Sequence, residues 1–137
     1  MWILYAFGSA LFAALTAITA KVGISNVDSN LGTAIRTFIV LIIAVGIVVS
    51  GKGFNQVFGI TAKTWTFLII SGVMTGLSWL CYFKALQIGE TSKVVTIDKF
   101  SLIMVLLLSA MFLQETVTVK MICAGILITV GTILMVI

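Results

Sequence analysis

The sequence predicts an all-α polytopic membrane protein with five transmembrane helices, and three observations carry that prediction. Hydrophobic residues make up 61% of the 137 and charged residues only 9%, against about 25% charged in ordinary globular domains. A mean hydropathy of +1.30 leaves too little polar surface to cover a water-soluble domain of this size. The apolar residues also fall into five runs of about 20 residues, the length a helix needs to cross a hydrocarbon core and about twice that of a barrel strand. The connectors between the runs are too short for a second domain.

Taken in order, the first run covers residues 2–20, WILYAFGSALFAALTAITA, and stops at Lys21. It carries no charge, has no basic residue before it and is long for a signal-peptide core, so it is expected to stay as a span. The second covers 31–50, with Arg36 near its start, and NVDSN before it offers Asp28, Ser29 or Asn30 as a helix cap. The third, 64–83, ends at Lys84, after the turn-rich connector GKGFNQVFG. The fourth covers 94–112 and contains Asp98 and Lys99; the fifth, 119–137, opens beside Lys120. There is no proline, so any break in a span must rely on Gly, Ser or Thr.

Charge sets the orientation only weakly. Lys21, Arg36, Lys84, Lys93 and Lys99 lie on the side of the first and third connectors, called side B, against Lys52, Lys63 and Lys120 opposite. Side B is slightly favoured toward the cytoplasm, and a population inserted both ways is allowed. Basic residues at span ends are membrane punctuation rather than a nucleic-acid patch, so no nucleic-acid partner is expected. Cys81 and Cys123 lie inside apolar runs, histidine is absent, and no clustered ligand spacing is found, so neither a metal nor another cofactor is expected. With no nucleophile–base set, carboxylate pair or phosphate loop, the chain is not expected to be an enzyme.

Small residues mark faces for close helix packing. Gly72 and Gly76 stand at small-xxx-small spacing in the third span, Gly125, Thr129 and Thr132 repeat the idea in the fifth, and Ala6, Ala10, Ala13 and Ala17 form a strip in the first. They predict tight packing within the subunit or, for one of them, a seam between subunits.

A charge inside hydrocarbon costs about 2.5–3.5 kcal/mol even on the mildest scale, so it is a functional candidate by default. Arg36 and Asp98 both lie a few residues into helices that start on side B, where they could pair, with Lys99 pointing about 100° away. One reading makes that pair structural, with Lys21, Lys84 and Lys99 snorkelling to the headgroups. The other makes this cluster part of a gate or an anionic-group site, with Arg36, Asp98 and Lys99 gating or coupling. Trp79 and Tyr82, in the last turns of the third span, suit an interfacial belt or stacking on a flat or cationic substrate; Trp2 and Trp65 suit the belt.

The run GLSWLCYFKALQIGETSKVVTIDK, with YFKAL at 82–86 leading to Gly89, FLQE at 112–115 and the Gly125 to Gly131 pattern of the last span, resembles the EamA domain of the drug/metabolite transporter superfamily. The resemblance covers the whole chain. It implies one EamA-like repeat over 1–137, similar to the single-domain five-span bacterial and archaeal branch. Such chains are expected to be multi-pass proteins of the cell membrane that carry small organic solutes by alternating access as dimers. Many EamA domains have a proline near the start of span four, where this chain has Thr96. The related four-span multidrug proteins couple protons through a glutamate in span one; span one here has no acid, which leaves Asp98 as the intramembrane proton carrier.

Together these readings predict a transporter subunit with Trp79 and Tyr82 on the solute, Arg36, Asp98 and Lys99 gating or coupling, and Gly72, Gly76, Gly125 and Thr129 as packing points. Its expected partners are the bilayer, a small solute and a second copy, with an antiparallel arrangement allowed because two opposed copies would recreate inverted-repeat symmetry. A flippase subunit for a lipid-linked sugar, with side B receiving a phosphate, is the alternative. A non-transporting scaffold would not need intramembrane charges.

Overall fold

The structure is a computed structural model that describes residues 1–51, 57 and 59–137. Most of the turn expected in GKGFNQVFG, and Lys52 with it, lies outside the described residues. Six helices are described: α1 (Trp2–Gly23), α2 (Ser29–Ser50), α3 (Ala62–Ile88), α4 (Thr91–Asp98), α5 (Ser101–Phe112) and α6 (Val119–Val136). By length and hydropathy α1, α2, α3, the α4–α5 pair and α6 form five candidate spans, and the protein is an all-helical, multi-pass membrane protein.

Local chemistry explains most boundaries. Asp28 caps α2, its carboxylate accepting from the Asn30 and Leu31 amides at 2.9 and 3.3 Å. Thr118 caps α6 through the Met121 amide. After α5 the chain turns through Gln114 in the left-handed region, φ 54°, where the Glu115 amide donates back to the Ser109 carbonyl at 3.4 Å.

Two boundaries correct the sequence reading. The third span does not end at Phe83: α3 continues through Lys84 to Ile88 because Leu86 in that extra turn is wholly buried. The fourth span is not one helix but two. Between α4 and α5 the amides of Lys99, Phe100, Leu102 and Ile103 bond three residues back, to Thr96, Ile97, Lys99 and Phe100, at 2.9–3.1 Å. The helix is thus wound to a 3₁₀ turn around Lys99–Phe100 with neither proline nor glycine present. The Thr96 hydroxyl, 2.7 Å from the Ser92 carbonyl, supplies the back-bonding that bends helices.

The chain divides into two compact units, residues 1–18 with 88–137, and residues 19–87. In the first, α4 packs on α6, where Thr96 Oγ1 lies 3.3 Å from the Met135 sulfur. Gly125 of α6 faces the Leu106 side chain of α5, with Thr132 buried nearby in sequence.

The second unit is packed at one end. Ala20, Ile24, Ser29, Thr33, Phe83 and Leu86 are all under 9% exposed. Gly32 lets Ile24 in so closely that an added Cβ would sit 2.9 Å from its Cγ2. The ends are clasped in both directions: the Lys21 ammonium bonds the Leu86 and Gln87 carbonyls, the orphan acceptors of the last turn of α3. The Gln87 amide returns to the Ile24 and Val27 carbonyls at 3.3 and 2.8 Å. Lys21 is therefore a helix cap rather than a snorkelling residue, and Lys84 bonds Gln87 Oε1 at 3.2 Å. Beyond Arg36 every residue of α2 is exposed, as is α3 up to Ser78.

Candidate functional site

The packed end of the second unit stops at Arg36 on α2 and Trp79 on α3. Ser29, Thr33 and Arg36 recur at i, i+4 and i+7, so they share the face of α2 on which Ser29 and Thr33 are buried. On α3 the same rule puts Trp79, Phe83 and Leu86 on one face. Arg36 lies seven residues into α2, about 10 Å along the helix axis at 1.5 Å per residue, and five residues past the start of the apolar run at Leu31.

There the guanidinium lies over two rings, its carbon 4.3 Å from the centroid of Phe83 and 5.1 Å from that of Trp79. Held over the rings, the cation still needs acceptors for its N–H groups. One of them has nothing to donate to: Nη1 is buried and has no acceptor among the described residues. The Ser29 hydroxyl, seven residues back on the same face, is also buried and has no hydrogen-bond partner among the described residues. Tyr82 packs edge-on against Phe83, centroids 5.4 Å apart and rings at 80°, and so braces the ring under Arg36.

Of the residues singled out from the sequence, Arg36, Trp79 and Tyr82 fall in this one cluster. Phe83, the ring nearest the cation, is missing from that reading, although its spacing of four from Trp79 could have signalled it. Asp98 and Lys99 belong to the other unit, at the 3₁₀ turn. There Asp98 Oδ2 lies 4.0 Å from Lys99 Nζ, both half-exposed. Lys99 therefore does not point away from Asp98 as expected, because α4 ends between the two and the long lysine stem folds back.

The packing residues divide. A Cβ at Gly125 would stand 4.0 Å from Leu106, an ordinary contact, and Thr129 turns its hydroxyl back onto the Gly125 carbonyl at 2.8 Å. A Cβ at Gly72 or Gly76 would meet nothing within 4 Å among the described residues, so neither is a point of close approach within the subunit. Of the alanine strip in α1, Ala17 alone is buried.

Comparison with known proteins adds the following. The model of a family described as EamA-like transporter family matches residues 1–137. A Sinorhizobium protein described as an uncharacterized transporter in the cobO 3′ region is 42% identical over 114 residues, 83% of this chain and 81% of that protein. No solved structure matches.

Proposed function

Because this chain belongs to the EamA-like transporter family, we propose that it is a membrane-transport subunit that moves small organic solutes by alternating access between two copies. The observation that carries this reading is the cluster of Arg36, Trp79, Tyr82 and Phe83. A guanidinium cation is kept five residues, about 7 to 8 Å, inside an apolar run, seated over aromatic rings and with an unused donor. An arginine retained only for packing would be a costly choice there. Trp79 and Arg36 are the solute contacts, and Tyr82 and Phe83 hold them in place.

Two copies suit the geometry because the exposed lengths of α2 and α3 begin where the cluster ends, so a second subunit has apolar faces to cover. Gly72 and Gly76, open within the subunit, are the proposed seam. Asp98 is the proposed proton carrier, at a turn where the helix winding changes and a modest shift of helix angle would re-aim it. The proposed location is the cell membrane. The flippase reading is less well supported, since Lys21 and Lys84, two of the basic residues that would receive a lipid phosphate, are engaged by backbone carbonyls and Gln87.

The test is uptake of radiolabelled amino acids, organic acids, sugars and amines into vesicles reconstituted with the full chain. At least one class should accumulate above protein-free vesicles, and Trp79→Ala should cut that uptake about tenfold or more, the scale expected when a desolvated contact is lost. Scrambling of a fluorescent lipid with no solute uptake would move the assignment to the flippase class.

A further inference from the structure

We propose that the solute carries an anionic group, a carboxylate or phosphate, and that Arg36 is its receptor; this rests on the transport reading above. Three observations point the same way. Arg36 Nη1 is a buried, charged donor with no acceptor among the described residues. The donor belongs to a planar guanidinium seated over two rings, and a guanidinium carries the fork of N–H groups that matches the two oxygens of a carboxylate or phosphate. A lysine could not offer that fork.

The third observation is the charge of the unit around it. Residues 19–87 hold Lys21, Arg36, Lys52, Lys63 and Lys84 but a single acid, Asp28. Asp28 is committed to the α2 amides as a helix cap. The unit thus supplies no carboxylate of its own to neutralise Arg36. A cationic substrate would meet repulsion at the point where the rings are placed to receive it. An anion would gain a charge-assisted hydrogen bond in a low-dielectric setting and remove the cost of the unpaired donor. The aromatic floor adds a preference for anions that carry a flat apolar part beside the charge, since such a part stacks where Trp79 ends.

The experiment uses the full chain with Trp2→Phe and Trp65→Phe, which leaves Trp79 as the one tryptophan of the original three. It is held in phosphatidylcholine discs and titrated with benzoate and benzylammonium, which share a ring and differ in the sign of charge. Benzoate should change Trp79 emission saturably, inorganic phosphate should compete, and benzylammonium should do neither. Arg36→Gln should weaken the benzoate half-saturation by about tenfold or more and Arg36→Lys by less, as expected for a charge-assisted bond.

The sign comparison in the Arg36 protein needs no variant, so it decides the matter even if Arg36→Gln does not assemble. Discs containing phosphatidylglycerol separate the sources of the anion. A benzoate curve shifted there, through Arg36, places the charge on a lipid headgroup; an unshifted curve places it on a soluble solute. No saturable response, equal responses to both ligands, or a benzoate response that survives Arg36→Gln undiminished would overturn the anion assignment and leave the uptake test standing. Benzoate binding through Arg36 with no uptake of any solute would instead sink the transport reading alone.

Discussion

Among individual residues, the intramembrane charges do different work. Arg36 was legible in the sequence because hydrocarbon makes any charge conspicuous, and Trp79 and Tyr82 because they share its side of the membrane. What the sequence could not supply was the partner: Arg36 meets ring faces, and Phe83 lay hidden as one more apolar residue in an apolar helix. Asp98 and Lys99 were visible for the same reason, but their 4.0 Å approach depends on where α4 stops. A half-exposed pair at that distance contributes little to stability, so Asp98 is free to serve another purpose. Asp98→Asn is expected to abolish uptake driven by a proton gradient while the protein still assembles and exchanges solute down a solute gradient. Uptake whose pH dependence is the same in both proteins would remove Asp98 from coupling.

At the level of helices, the bilayer itself made the spans readable. Its thickness fixes their length, and each expected run lies within a described helix or helix pair apart from an end residue. The 3₁₀ turn between α4 and α5 was not readable, because nothing in IDKFS breaks a helix by residue type. The change lies in which carbonyl each amide chooses, and that is decided by packing and by the Thr96 back-bond. The clasp between α1 and α3 was equally invisible, since a lysine at the end of an apolar run reads as an interfacial anchor. It carries a prediction: Lys21→Met should lower unfolding stability by about 1.5–3 kcal/mol, the scale of a part-buried hydrogen bond to a charged group. Gln87→Leu should cost less, and the double variant less than the sum of the two, because they secure the same helix ends. Denaturant titration in mixed micelles measures all three, and strictly additive losses would mean that the two side chains do not act together.

For the whole molecule, a nearly balanced distribution of Lys and Arg across the two faces is an insertion signal with little bias. After Cys81 and Cys123 are replaced by serine, a cysteine placed at Ser25 should react with a membrane-impermeant maleimide from both faces of the membrane across a population of cells. Added lysines in the Ile24–Asp28 connector should drive it to one face. Transport by such a biased variant should then fall and return when a variant with the opposite bias is co-expressed. Labelling from one face only, with full activity in a chain purified alone, would rule out opposed copies. The fold class and family were open to reading from composition and motif, whereas pairing between copies leaves only faint traces in one sequence: small residues and lipid-like surfaces that serve packing and solvation alike.

The crowding of buried side chains at the Lys21–Gln87 end has a mechanical corollary. In a single copy placed across a bilayer, one leaflet would surround a braced foot, while the other would meet the exposed lengths of α2 and α3. Acyl-chain order, lateral pressure and sterol content in that second leaflet would then act on long levers, whereas the same changes around the foot would act on short ones. A transporter built this way would take its mechanical cues from its surroundings chiefly through one half of the bilayer.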